Sequence, residues 1–149
     1  MKANKRCQRG IQLIELAIAA PILMLLLAAM AEFRNYLHHY TSLAKATRAA
    51  ARYLSAKAFT GTEKEKAKNV AVCGVPDSCG SVAPVLAGLS ASNIEITSTG
   101  GAILPETVTV RIIGYEYQPF FDLGGLTGGG SWVGIDVSPS TTMRYLLEN

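Results

Sequence analysis

Apolar residues run without a charge from Leu16 to Ala31 and then thin into a periodic pattern. The sixteen residues of that run make about 24 Å of helix. Extension back to Ile11 gives twenty-one residues, enough to cross a hydrocarbon core of about 30 Å. Beyond the run, Phe33, Leu37, Tyr40, Ala44, Thr47, Ala51 and Leu54 recur at spacings of three and four, one face of a continuing helix. Lys45, Arg48 and Arg52 share another face, the pattern of a solvated stripe or of a contact for acidic partners or headgroups. Helix formers dominate to Phe59, and Thr60-Gly61 supplies a stop. The spacing predicts one helix from Ile11 to Phe59, its lower half in a membrane and its upper half amphipathic.

Past that helix the signals are shorter. Thr62–Val72 starts charged and turns apolar, which fits either a surface helical turn or a loop. Ser81–Leu89 reads as a short helix with Ser81 as its cap. From Asn93 the period becomes two: Asn93–Ser98 alternates, Gly100-Gly101 breaks, and Thr107–Tyr117 is a long β-type run. Val108, Val110 and Ile112 share one face of it, Gly114 suggests a bulge, and Pro119 ends it. Trp132–Val137 and Thr141–Leu147 add one or two further strands. Phe120, Phe121 and Leu126 fit either an apolar contact patch or a plug of the end of the sheet against the helix, and the plug is the expectation. The expected fold class is α+β, a long N-terminal helix packed on a small antiparallel sheet of about three to four strands. Its parts are a basic leader (1–10), the membrane part of the helix (11–31), its amphipathic extension (32–60) and a small extracytoplasmic domain (61–149).

Charge sharpens that layout. The 149-residue chain carries a net +3, yet Lys2, Lys5, Arg6 and Arg9 precede the apolar run with no acid among them. Without those four, ten basic and eleven acidic side chains remain, a net of −1. The basic balance therefore belongs to the leader and does not point to nucleic acid. By the excess of positive charge the N-terminus stays cytoplasmic and everything after Ala31 lies across the membrane.

The residues after Ala31 (Glu32, Phe33, Arg34) lack the small-x-small site at which signal peptidase cuts. The notable junction lies upstream, at Gly10-Ile11. A short basic leader ends in glycine, an apolar residue follows, and Glu15 stands four residues beyond. This resembles the class III signal read by prepilin peptidases, which cut after the glycine and leave the apolar helix intact. Gly10 through Glu15, then Ala17 and Pro21 ahead of Leu23, Leu25, Leu26 and Leu27, then Glu32-Phe33 and Ala50-Ala51-Arg52-Tyr53, resemble the TadE-like family. Its members are minor pseudopilins of Tad (tight adherence, Flp-type) pilus systems. The resemblance covers roughly Arg9 to Leu54, with weaker echoes in Val108–Tyr117 and at Met143-Arg144; Leu16 departs from the aromatic residue many relatives carry there. It implies a single-pass protein of the bacterial inner membrane that enters a surface pilus. The implied partners are a prepilin peptidase, other pilin or pseudopilin subunits, inner-membrane pilus assembly proteins and the lipid bilayer. An uncleaved single-span protein whose extracytoplasmic domain scaffolds or senses in the envelope is the alternative.

Glu15 has a physical role in the first reading. A carboxylate within a membrane span is costly and usually functional. After cleavage the Ile11 amine, with a pKa near 7.7–8, is largely protonated. Glu15 lies about 6 Å along the axis from it, poorly placed to pair within one helix but able to pair between staggered neighbours. The resemblance implies the same use, recruitment and registration of the incoming subunit; snorkelling to the headgroups is the simpler alternative. Pro21 removes a backbone donor and frees the Ala17 carbonyl, predicting a kink or loosened turn.

Cys73 and Cys79 hold five residues between them, including the turn formers Pro76 and Asp77. Across the membrane a disulfide is expected there, as a structural clip. Redox catalysis lacks its C-x-x-C spacing, and two ligands are too few for zinc. His38 and His39 are adjacent, so they diverge by about 100° on a helix and do not chelate one ion. Five glycines in Leu123–Ser131 are followed by no Gly-Lys-Ser/Thr, so a mobile hairpin connection fits better than a phosphate cradle. Asp122 and Asp136 are isolated acids, and no acid–base pair, cofactor fingerprint or metal-ligand set is present. The chain reads as a structural protein and not an enzyme, with no cofactor and no metal.

Overall fold

A computed structural model describes residues 5–101, 104–121 and 134–147, with side chains from residue 12 onward. Helix α1 (Lys5–Ser55) is a rod of 51 residues, about 76 Å long, and it runs through Pro21. Helix α2 (Gly61–Cys73) follows, then a 3₁₀ turn (Ala91–Asn93) and five strands: β1 (Ile94–Gly100), β2 (Pro105–Ile112), β3 (Glu116–Tyr117), β4 (Ile135–Asp136) and β5 (Ser140–Arg144). The architecture is α+β. An antiparallel sheet in the order β1-β2-β5 packs on the upper part of α1, and β3-β4 form a separate two-stranded ribbon.

The alternation read in β2 is realised. Val108, Val110 and Ile112 are fully buried, while Thr107, Thr109 and Arg111 face away. Their register partners Ile94 and Ile96 on β1, and Thr141 and Met143 on β5, complete the inner face. Against it α1 sets Leu43, Ala46, Thr47, Ala50, Ala51 and Leu54. The alanines let sheet and helix approach closely, and Thr47 Oγ1 satisfies itself on the Ala44 carbonyl and on Thr141 Oγ1. Gly114, at φ +62°, turns the chain after β2 and shifts the alternation, so that Tyr115 and Tyr117 point inward behind Ile112.

The helix ends at Ser55, short of the expected Phe59. The helix end and the residues after it find partners from the far end of the chain: Leu146 N–H donates to Ser55 O (3.0 Å) and Tyr145 Oη to Lys57 O (2.8 Å). Thr60 is the N-cap of α2 and not the stop of α1. Its hydroxyl accepts from Glu63 N–H, in the Thr-x-x-Glu spacing of a helix start. The 62–72 stretch, open between turn and loop, is therefore helical, closed by Gly74 in the left-handed region. Ala67, Val70 and Ala71 seat it on α1. Residues 81–89 form no helix. Pro84 supplies no N–H, Val85 N–H donates instead to Val72 O (2.7 Å), and Leu86 and Leu89 anchor the segment in the core.

The Cys73 and Cys79 sulfurs are bonded, with Cα atoms 5.8 Å apart, clipping the exit of α2. Closing so small a ring contributes about 2 kcal/mol by the chain-entropy relation. Cys79→Ser is expected to lower the denaturant midpoint accordingly, and a reductant should shift the parent to that midpoint while leaving the variant unmoved.

The solvated reading of the basic stripe agrees with the exposure of Lys45, Arg48 and Arg52. The apolar stripe is rotated from its expected position. Thr47, Ala51 and Leu54 are buried as read, but Phe33, Leu37 and Tyr40 stand 63%, 42% and 44% exposed. Below Leu43 the domain instead covers the Glu32, Asn35, Tyr36 and His39 side, where polar side chains make the contact.

Candidate functional site

Two regions of α1 carry the candidate chemistry. The lower one is bare: Leu13, Leu16, Leu23 and Leu27 are each more than half exposed, and no part of the described domain packs on them. Among the described residues this is the one helix long and apolar enough to cross a membrane. Gly10 and Ile11 lie within the helical segment, of which only the backbone is described there. Glu15 is exposed on the bare rod and makes no ion pair among the described residues. Pro21 lies six residues further along the same rod. The four positions singled out in the sequence thus fall along one stretch of α1, separate from Cys73 and Cys79.

The upper region is a polar clasp where the rod meets the domain. The Glu32 carboxylate accepts from Tyr117 Oη and from two backbone amides, Phe120 N–H (3.0 and 3.1 Å) and Phe121 N–H (3.3 Å). Asn35 Nδ2 donates to the same Tyr117 oxygen at 3.0 Å. Tyr117 is 1% exposed, edge-on to Tyr36 and His39 with centroids 5.6 and 5.0 Å away. Burial raises its pKa, and the bond to Glu32 raises it further. The β3–β4 pairing of Tyr117 with Ile135 presents this ring to α1.

Sequence reading missed the clasp. Glu32 and Tyr117 are 85 positions apart, and a lone glutamate after an apolar run carries no signal for a distant tyrosine. Phe120 and Phe121 do not plug the sheet as expected. They are 82% and 44% exposed, and it is their backbone that reaches the helix. Leu126 and the glycine-rich run lie outside the described residues.

His39 completes the clasp, its Nδ1 3.2 Å from Tyr115 Oη. Its pKa lies below the ordinary value because burial desolvates the imidazolium and, second, His38 repels it. The unfolded chain therefore takes up the proton at higher pH than the folded one, and stability falls as pH drops through 6.5 toward the folded value. Unfolding midpoints at about pH 7.5 and about pH 5.5 should differ less in His39→Gln than in the parent.

No three of His, Cys, Asp and Glu lie close enough to share a metal ion among the described residues. The arrangement offers contacts along a rod and one polar joint.

Residues 10–52 match the model of the family described as TadE-like protein. The match begins at the leader glycine and ends beside Tyr53, the span that carries the resemblance. No curated protein and no solved structure matches the chain.

Proposed function

From a first third that is TadE-like, we propose that the chain is a pilin-like structural subunit, a minor pseudopilin of a Tad/Flp-type pilus. In this reading a prepilin peptidase cuts between Gly10 and Ile11 and the helix stays in the inner membrane. The domain lies on the extracytoplasmic side, and Glu15 takes the free amine of a neighbouring subunit's Ile11. Pro21 gives the rod a place to bend as it leaves the bilayer.

One observation supports this reading above the others. The apolar lower rod is left bare by its own domain, with the glycine junction and Glu15 at its head. A rod whose large apolar side chains from Leu13 to Leu27 stand more than half exposed suits lipid first and neighbouring helices afterwards. An isolated tether would need the same greasy surface but not the carboxylate, which is expensive in lipid without a cationic partner.

Substitution at the junction tests the processing step. Gly10→Val adds a branched side chain at the residue preceding the cut, so the full-length precursor is expected to accumulate in membranes. Immunoblotting of membranes from the parent and variant strains reads the mass of about ten residues that cleavage removes. Equal mobility of the two, at the processed size, would sink this step.

A further inference from the structure

Two aromatic side chains stand exposed at the level where the apolar rod ends. Phe120 and Phe121 meet edge to face, 5.5 Å between centroids. Their height along α1 is set by Glu32, which holds both backbone amides within 3.0–3.3 Å. Glu32 is the first charged residue after Ala31. Residues 11–31 cover about 31 Å at 1.5 Å per residue, the thickness of a hydrocarbon core, so the turn sits at its outer boundary. Aromatic rings concentrate at that depth in membrane proteins.

The surroundings of the turn are largely apolar. A groove of ≈ 430 Å³ opens between α1 and the turn, with Ala28 and Ala29 at its lower end and Phe33, Tyr36, Phe121 and Ile135 along its sides. Its lining residues Ala28 and Phe121 are chain neighbours of the exposed Leu27 and Phe120. The one charge in it, Glu32, already accepts from three donors, which reduces its demand for water at the lipid boundary.

We propose that the Phe120–Phe121 turn is a second membrane contact, seated in the headgroup–acyl boundary of the leaflet facing the domain. The upper parts of lipid acyl chains occupy the groove. The domain is thereby held down on the bilayer at a fixed angle to α1, and does not stand clear on its stalk. The contact requires only that α1 span the membrane; it is independent of cleavage after Gly10 and of pilus assembly.

Depth-dependent fluorescence quenching tests it. Trp132 is the single tryptophan, so Phe120→Trp in a Trp132→Phe background places the only indole at the turn. Leu27→Trp in the same background marks full lipid contact, and Phe121→Trp is a second probe should the first disturb the turn. The full chain is reconstituted in vesicles of phosphatidylethanolamine and phosphatidylglycerol containing lipids brominated high or low on the acyl chain. The indole of the Phe120→Trp variant is expected to be quenched about twofold more by high than by low bromination, and only weakly by aqueous iodide. Strong iodide quenching of the Phe120→Trp and Phe121→Trp variants with none from either brominated lipid, while the Leu27→Trp variant responds to lipid, would overturn the proposal and leave the turn facing water.

Discussion

Cells carrying Glu15→Ala are expected to trim the protein normally yet to lose assembly into surface pili. The proposed cut lies at the Gly10 carbonyl, five residues before Glu15, so a prepilin peptidase would still have its junction. In the proposed assembly, what the substitution removes is the acceptor for a neighbour's Ile11 ammonium at the cytoplasmic edge of the apolar rod. Losing one partner of a buried charge pair costs about 3–5 kcal/mol. At about 1.4 kcal/mol per tenfold, subunit docking falls by about two orders of magnitude or more. Glu15→Gln keeps the shape and the polarity but not the charge, and is expected to fail nearly as badly. The pair of readouts is a processed band on an immunoblot and a count of pili by electron microscopy. Normal pili with Glu15→Ala would show that the carboxylate registers nothing.

The second large effect belongs to Glu32. Glu32→Ala leaves Tyr117 Oη and the amides of Phe120 and Phe121 without their acceptor at the base of the domain. Hydrogen bonds to a charged group contribute about 1.5–3 kcal/mol each, and water re-enters to satisfy the exposed amides. A net loss of about 2–3 kcal/mol is expected, concentrated at the buried tyrosine. Urea unfolding of the detergent-solubilised protein, followed by far-UV circular dichroism, measures it. Glu32→Gln retains one acceptor oxygen and should fall between parent and alanine variant. Protease cleavage near Gln118–Phe121 should quicken in the same order, because that turn is held to the rod through Glu32. An alanine variant as stable as the parent would mean that the clasp is incidental to packing.

The contrast between these two glutamates shows what a single chain can disclose. Glu15 announces itself by being a charge inside an apolar run, and its distance from the Gly10 junction can be counted along the chain. Glu32 sits at the end of the same run, where a charged residue is ordinary, and its partners arrive from 85 to 89 positions away. The rotated stripe on α1 has the same cause. Periodicity selects apolar positions, so it marks Phe33, Leu37 and Tyr40, while the domain docks through the polar Glu32, Asn35 and His39. Where contact is made by methyls and alanines, at Thr47, Ala51 and Leu54, the stripe and the structure coincide. In β2 the period of two suffices because one face is wholly buried and the other is not. The end of α1 is illegible for a different reason. Thr60 is chemically suited to stop one helix or start another, and the partners that decide it, Tyr145 and Leu146, lie near the far end of the chain.

The proposed pilus role rests on a helix that keeps its place in the lipid while its basic leader is removed. The most direct measurement is the intact mass and N-terminal sequence of the protein purified from membranes of its own host. The pilin-like reading predicts a chain that begins at Ile11, shorter by the ten leader residues and still carrying the apolar rod. A chain that still begins at Met1, in cells that make pili, would contradict it and leave a single-span tether for the small domain.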